Sequence, residues 1–173
     1  MKKLTAMPWL IFLAAVALGV FLHFVHHWLP SPVTALISPV RESIWEHLKV
    51  LYIPLLLSAL ILGRGNPALR SARLLAIPVV CALMLGLGWM YHVAFRGENM
   101  VFDLVLYAVL MALGFLLPRW LWPLGDWPGV TRLAVGLTVL LGALIAWFSF
   151  FPPDNVLFAD LSEGVRTFLT IPI

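Results

Sequence analysis

Ionisable side chains are concentrated in one short stretch of this chain, residues 38–49, whose sequence is SPVRESIWEHLK. Only 11% of all residues are charged, yet this stretch holds two glutamates, a histidine, an arginine and a lysine. Glu42 and Glu46 are four residues apart, which on a helix places both carboxylates on one face. A carboxylate in such a position can act as a general base, so Glu42 and Glu46 are the candidate catalytic residues.

Histidines at helical spacing precede this stretch. His23 and His27 are four residues apart, and His26 lies between them. An imidazole pair on one helix facing a carboxylate pair on the next can bind a divalent metal, with zinc, manganese or iron compatible with mixed nitrogen and oxygen ligands. The candidate metal ligands in the chain are His23, Glu42, Glu46, His47 and His92.

The place of His47 limits this site if the stretch is helical. At about 100° per residue, His47 lies about 140° around the helix from Glu42. It therefore cannot share a tight site with both glutamates unless the helix is distorted. Three more polar residues fall at the same depth and are expected to join the cluster: Lys49, Asp103 and Asp160.

Two alternatives for the cluster need no ligand. Glu46 and Lys49 could form an ion pair three residues apart. The acidic stripe could instead join neighbouring helices through hydrogen bonds to His23, Tyr91 and His92. A metal or catalytic centre and a polar route for protons or a small solute are the other two alternatives, and all four stay open.

The composition excludes a soluble domain. Hydrophobic residues make up 62% of the chain and the mean hydropathy is +1.01, against about 45–50% apolar residues in soluble domains. The lipid bilayer is therefore the expected partner. The net charge of +3 indicates no nucleic-acid binding, because the basic residues lie in short loops between apolar runs.

Five apolar segments predict an all-α bundle that forms a single membrane domain over residues 1–173. The predicted helices cover about residues 8–29, 39–62, 74–95, 100–117 and 133–151, followed by a tail over 152–173. A span needs about 20 residues, so the second helix is long enough only if it begins at Ser38-Pro39. Serine would then be the N-cap and proline the first helical residue.

The distribution of lysines and arginines predicts the orientation of these five helices. The N-terminal side carries Lys2, Lys3, Arg64, Arg70, Arg73, Arg119 and Arg132, and the other side carries Arg41, Lys49, Arg96 and Arg166. The positive-inside rule then places the N-terminus inside, with the C-terminus and the polar cluster outside. The tail is expected to fold back over the cluster, because Leu157 and Phe158 would otherwise face water.

Three segments of the chain resemble a family of small multi-pass bacterial membrane proteins of uncharacterised function. They are LHFVHHW, PVRESIWEHLK and PPDNVLFAD. The family pattern of the second is Pro-Val-x-Glu-Ser-x-Trp-Glu-His-Leu-Lys, and it matches residues 39–49, with Arg41 where the family has asparagine. At the positions of His26 and His27 the family has tyrosine and an acid. The stronger candidates for site residues are therefore His23, Glu42, Glu46 and His47. The resemblance implies the bacterial inner membrane and supplies no activity.

Three functions are compatible with these observations. The first is a non-enzymatic membrane component whose cluster is structural or binds an ion or a partner. The second is a metal-dependent hydrolase of a lipid-like substrate, with Glu46 or Glu42 as the base and His23 and His47 as ligands of a metal such as zinc. The third, a small permease, is disfavoured because five helices do not divide into equal repeats. Whether the chain is an enzyme, and whether it forms a homo-oligomer or binds another protein, stays open.

Overall fold

The computed structural model describes residues 7–161, and this part of the chain is helical and contains no strand. The helices are α1 (Met7–Trp28), α2 (Pro32–Ile37), α3 (Leu48–Leu62), α4 (Pro67–Trp89), α5 (Met100–Leu116), α6 (Pro118–Leu121) and α7 (Pro128–Phe150). A π-helical turn, Met90–Ala94, extends α4, and 3₁₀ turns cover Trp122–Leu124 and Val156–Phe158. The predicted all-α class is confirmed.

Four helical stretches are long and apolar enough to cross a membrane. They are Pro8–Trp28, Pro67–Ala94, Met100–Leu124 and Pro128–Phe150. Their outward faces carry large exposed apolar side chains such as Trp9, which is 66% exposed, and Val139, which is 63% exposed. Water would not tolerate so much apolar surface, so lipid is the environment that fits it.

The helix observed in place of the predicted second span, α3, is shorter than the sequence predicts. α3 begins at Leu48 and has 15 residues, fewer than the roughly 20 that a straight span needs. Ser38 does not cap it: the residue ends α2, and its backbone N–H donates to the Thr34 carbonyl. The Ser-Pro pair that does start a helix is Ser31-Pro32, where the Ser31 hydroxyl accepts a hydrogen bond from the Thr34 N–H.

A turn segment, residues 38–47, therefore takes the place of the first turns of the predicted helix. Ser38 is extended, as favoured for a residue that precedes proline. Two other helices begin earlier than expected, α4 at Pro67 and α7 at Pro128. In both cases a proline takes the first helical position, where its missing N–H costs nothing.

The helices run up and down between two ends of the bundle. α3 packs against α1, α4 and α5, and its side chains Leu51 and Leu55 are part of the core. At one end the start of α3 meets the last turns of α1. At the other end the start of α7 meets the start of α4, where the hydroxyls of Thr131 and Ser71 are 3.0 Å apart.

The tail folds back over the turn segment, as the apolar residues within it predict. The N–H of Trp45 donates to the Leu157 carbonyl at 3.0 Å, and the N–H of Leu161 donates to the Glu42 carbonyl at 2.8 Å. The Phe158 ring lies 5.0 Å from that of Trp45. The rest of the predicted tail, residues 162–173, lies outside the described residues.

Candidate functional site

Two imidazoles and one carboxylate meet where α1 ends and α3 begins. His23 Nε2 lies 3.7 Å from Glu42 Oε1, and His47 Nε2 lies 3.3 Å from Glu42 Oε2. The two imidazole centroids are 5.2 Å apart. One ligand atom from each residue lies within 4.8 Å of the others, and no second group of this kind occurs within residues 7–161. We call these three residues the His-Glu-His cluster.

The turn segment brings the cluster together. His23 lies on α1, Glu42 lies in the turn segment, and His47 is the residue just before α3. On a continuous helix Glu42 and His47 would point in different directions, about 140° apart. Because residues 38–47 form turns instead, the two side chains face each other. From the sequence, His47 could share a site with both glutamates only if the helix were distorted. The segment is not helical, and His47 meets Glu42 while Glu46 lies with Lys49.

A backbone carbonyl orients the His47 ring. His47 Nδ1 lies 2.7 Å from the Ser43 carbonyl oxygen, so Nδ1 carries a proton and donates it. In the neutral tautomer this leaves a lone pair on Nε2, directed at the centre of the cluster. A histidine that binds a metal through one ring nitrogen usually donates the N–H of the other to a carbonyl or carboxylate. The sequence contained no signal for this contact, because it involves the main chain of a turn.

The two His–Glu42 separations are longer than direct hydrogen bonds. Charge-assisted N–H···O bonds are about 2.7–2.9 Å long, whereas these separations are 3.3 and 3.7 Å and involve different oxygens of Glu42. Two ligand atoms at about 2.1 Å from a tetrahedral zinc ion are about 3.4 Å apart. The three ligand atoms lie within 4.8 Å of one another, so an ion bound by all three would draw them closer together.

The charges in the cluster favour an ionised carboxylate. Interaction with the His47 imidazole holds the pKa of Glu42 below its usual range. Burial of the His47 ring lowers its pKa, but the contacts with the Glu42 carboxylate and the Ser43 carbonyl, together with the charge of Asp103, outweigh this and raise the pKa of His47. The Glu42 side chain is 50% exposed, so ions can reach the cluster from outside.

Glu46 belongs to a different, buried arrangement. Its Oε2 accepts hydrogen bonds from Lys49 Nζ and from the Val40 N–H. Lys49, whose side chain is 0% exposed, also donates to the carbonyl oxygens of Ala35 and Ser38, at 2.7 and 3.1 Å. This is the ion pair anticipated as one alternative. Glu46 is therefore placed neither to join the metal ligands nor to act as a base beside them.

His92 and Asp103 form a second pair. His92 Nδ1 lies 2.9 Å from the Gly97 carbonyl oxygen, and Nε2 lies 2.8 Å from Asp103 Oδ1. Both ring nitrogens are thus engaged by oxygen atoms of the protein, and His92 is not part of the group of possible metal ligands. The π-helical turn at the end of α4 carries His92 to the first turn of α5, where Asp103 lies. The predicted ligand role of His92 is not supported by this placement.

The other predicted polar residues lie around the cluster. Asp160 is half-buried next to Leu161, whose N–H donates to the Glu42 carbonyl. His26 faces Thr34, with Nδ1 3.0 Å from the hydroxyl oxygen, and His27 is exposed. The spacing of His23 and His27 suggested a pair of ligands, but only His23 points to the cluster.

A family of unknown function (DUF6512) is represented by a sequence model that matches residues 2–167. The chain belongs to this family. No curated protein and no solved structure matches it. The chain combines several apolar helices with a Glu/His cluster, and two imidazoles with one carboxylate are a set that zinc and ferrous iron both accept.

Proposed function

We propose that this DUF6512 protein is a membrane protein that binds a divalent cation through His23, Glu42 and His47. The observation that carries the proposal is the orientation of His47 by the Ser43 carbonyl, together with ligand separations of 3.3 and 3.7 Å. Zinc fits this set best, because its mixed nitrogen and oxygen ligands lie about 2.0–2.2 Å from the metal. The role is binding of an ion by a non-enzymatic membrane component.

Metal content tests this proposal directly. Protein purified in detergent, loaded with zinc and desalted, is expected to retain about one zinc per chain. His23→Ala and Glu42→Gln are expected to lose the metal, because each removes one of three ligands. His27→Ala is the matched control, since it removes an exposed histidine from the same helix. Elemental mass spectrometry that finds equal zinc in all four proteins, or none in the wild type, would contradict the proposal.

We further propose that the chain crosses the membrane five times, with its N-terminus inside. α3 supports this because it runs from the His-Glu-His cluster at one end of the bundle to Gly63, beside Arg70 at the other. At about 1.5 Å per residue, its 15 residues span about 22 Å, so its crossing would be shorter than those of the other four helices. The positive-inside rule supports the orientation, and the family resemblance supports the bacterial inner membrane.

A second candidate function is supported by the open side of the cluster. Three protein ligands leave a fourth position, as in catalytic zinc sites, where the metal supplies an acidic water. His23, Glu42 and His47 would hold the ion at the end of the bundle, where ester and phosphate groups of lipids lie. Release of a headgroup or fatty acid from labelled phospholipid vesicles by the wild type, and not by His47→Ala, is the expected result for a hydrolase.

A further inference from the structure

The end of the bundle opposite the His-Glu-His cluster is strongly basic. In the described part of the chain it carries one acid, Asp126, and five arginines: Arg64, Arg70, Arg73, Arg119 and Arg132. None of these arginines forms a salt bridge within residues 7–161. Four of them are exposed, and Arg73 is half-buried. The positive charge at this end is therefore uncompensated by the protein.

Arg73 differs from its neighbours in its surroundings. Its guanidinium carbon lies 5.8 Å from the centre of the Phe115 ring on α5. Phe115 in turn packs edge-on against Phe12 on α1, with 5.2 Å between centroids. Arg73 therefore lies where α1, α4 and α5 meet. Its Nε is buried and has no hydrogen-bond partner among the described residues.

Nε itself is enclosed, but Arg73 as a whole is only half-buried, so an anion can approach the part of the side chain that stays accessible. A phosphate group suits this site, because the planar guanidinium fork binds its oxygens in a bidentate manner. The cation–π contact with Phe115 holds the fork in place. A carboxylate has the same charge, but the surface around Arg73 favours a lipid.

That surface is apolar and faces outward. Trp9 on α1 lies 6.2 Å from Phe12 and is largely exposed, as is Leu10 beside it. Leu116, the neighbour of Phe115, is also exposed. Exposed tryptophans are typical of the level at which headgroups lie, and the acyl chains of a lipid bound at Arg73 would pack on these side chains. Basic pockets between membrane helices bind anionic headgroups in this way.

We propose that Arg73 binds the phosphate of an anionic phospholipid at the surface where α1, α4 and α5 meet, and that the exposed arginines at this end attract it. This site is separate from the His-Glu-His cluster and does not depend on metal binding.

Lipid binding measured by native mass spectrometry tests the site. Wild-type protein in detergent is expected to retain phosphatidylglycerol in preference to phosphatidylcholine. Arg73→Met keeps the packing of the stem on Phe115 but removes the guanidinium, and it is expected to weaken phosphatidylglycerol binding about tenfold. Arg70→Met, an exposed arginine on the same helix, is expected to change it less than about twofold.

Three results would overturn the proposal. They are equal retention of the two lipids, equal loss in Arg70→Met and Arg73→Met, and displacement of the lipid by millimolar inorganic phosphate, which would indicate a site for free phosphate. If Arg73→Met does not fold, Arg73→Lys takes its place. It keeps the charge but loses the planar guanidinium that binds two phosphate oxygens, so weaker binding is expected, and unchanged binding would contradict the assignment.

Discussion

Glu42 and Glu46 show at the residue scale how the local backbone assigns roles to two identical side chains. Glu42 is half-exposed and faces two imidazoles, whereas Glu46 is buried and faces Lys49. Their spacing of four residues would place them together on a helix. Since the turn segment is not helical, one carboxylate joins the His-Glu-His cluster and the other ties the turn segment to α3.

Glu46→Gln is expected to destabilise the protein far more than Glu42→Gln. Removing the Glu46 charge leaves Lys49 buried without its counter-ion, which costs about 3 kcal/mol. Glu42 is half-exposed, so its neutralisation in the presence of a chelator costs less than about 1 kcal/mol. Thermal unfolding in detergent, followed by near-UV circular dichroism, measures both. Equal losses would contradict the prediction that the buried Glu46–Lys49 pair matters more for stability than Glu42 does.

Zinc is expected to stabilise the protein through the His-Glu-His cluster. An ion present at about 100 times its dissociation constant raises the free energy of unfolding by about 2.7 kcal/mol. A chelator should reverse the effect. In His23→Ala the midpoint of thermal unfolding should not respond to zinc, whereas it should in His27→Ala. A response in His23→Ala as large as in the wild type would exclude His23 as a ligand.

At the scale of elements, short irregular segments position the polar groups and the helices support them. The turn segment, the π-helical turn and the tail each place one set of side chains at the same end of the bundle. Trp45 shows the effect, because it is buried between Phe148 of α7 and Phe158 of the tail, 5.3 and 5.0 Å away. The tail is thus part of the support of the cluster.

Phe158→Ala is expected to weaken both stability and zinc binding. The ring packs on Trp45 and Phe148, and its loss should cost about 2 kcal/mol, less than a fully buried phenylalanine. A looser turn segment would also hold Glu42 and His47 less firmly. Phe151→Ala is the control, because that ring is exposed and faces lipid. Calorimetric titration with zinc measures the affinity of both variants. Equal affinities would show that packing of the tail does not affect zinc binding.

His92→Gln and Asp103→Asn are expected to lower stability without removing zinc. The pair joins the end of α4 to the start of α5, and both nitrogens of His92 already bind acceptors. Breaking one charge-assisted hydrogen bond costs about 1.5–3 kcal/mol. Metal content and thermal midpoint are measured on the same samples. Loss of zinc in His92→Gln, with the fold retained, would restore His92 to the ligand set.

At the scale of the whole molecule, the two ends of the bundle differ in chemistry. One end has the histidines and most of the acids, and the other has arginines that form no salt bridge within residues 7–161. α3 joins the two ends although its 15 residues are short for a span. Whether α3 crosses the membrane therefore decides which groups share a side.

Cysteine labelling in intact cells tests the five crossings and the orientation together. In a Cys81→Ser background, Arg41→Cys is expected to react with a membrane-impermeant maleimide, and Arg64→Cys to react only after the cells are opened. Both positions are exposed and flank α3. Reaction of both on the same side would mean that α3 does not cross, and the reverse pattern would mean that the N-terminus is outside.

The membrane class and the approximate location of the long helices follow from the sequence alone. Hydropathy depends only on neighbouring residues, and the prolines and glycines that interrupt the apolar runs can be read from the sequence. For this reason α1, α5 and α7 end close to their predicted limits. The sequence also identified His23, Glu42 and His47 as residues able to bind metal, because side-chain chemistry does not depend on the fold.

Only the tertiary structure decided which of these residues meet. The sequence has two Ser-Pro pairs that could start a helix, at residues 31–32 and 38–39. Ser31 caps the start of α2, and Ser38 lies at its end. That choice turns residues 38–47 into a turn segment, separates Glu46 from Glu42 and brings His47 to the cluster. The tail then fixes the segment through contacts more than a hundred residues apart in sequence. A periodic pattern predicts neighbours only while the backbone is regular, and the site lies where it is not.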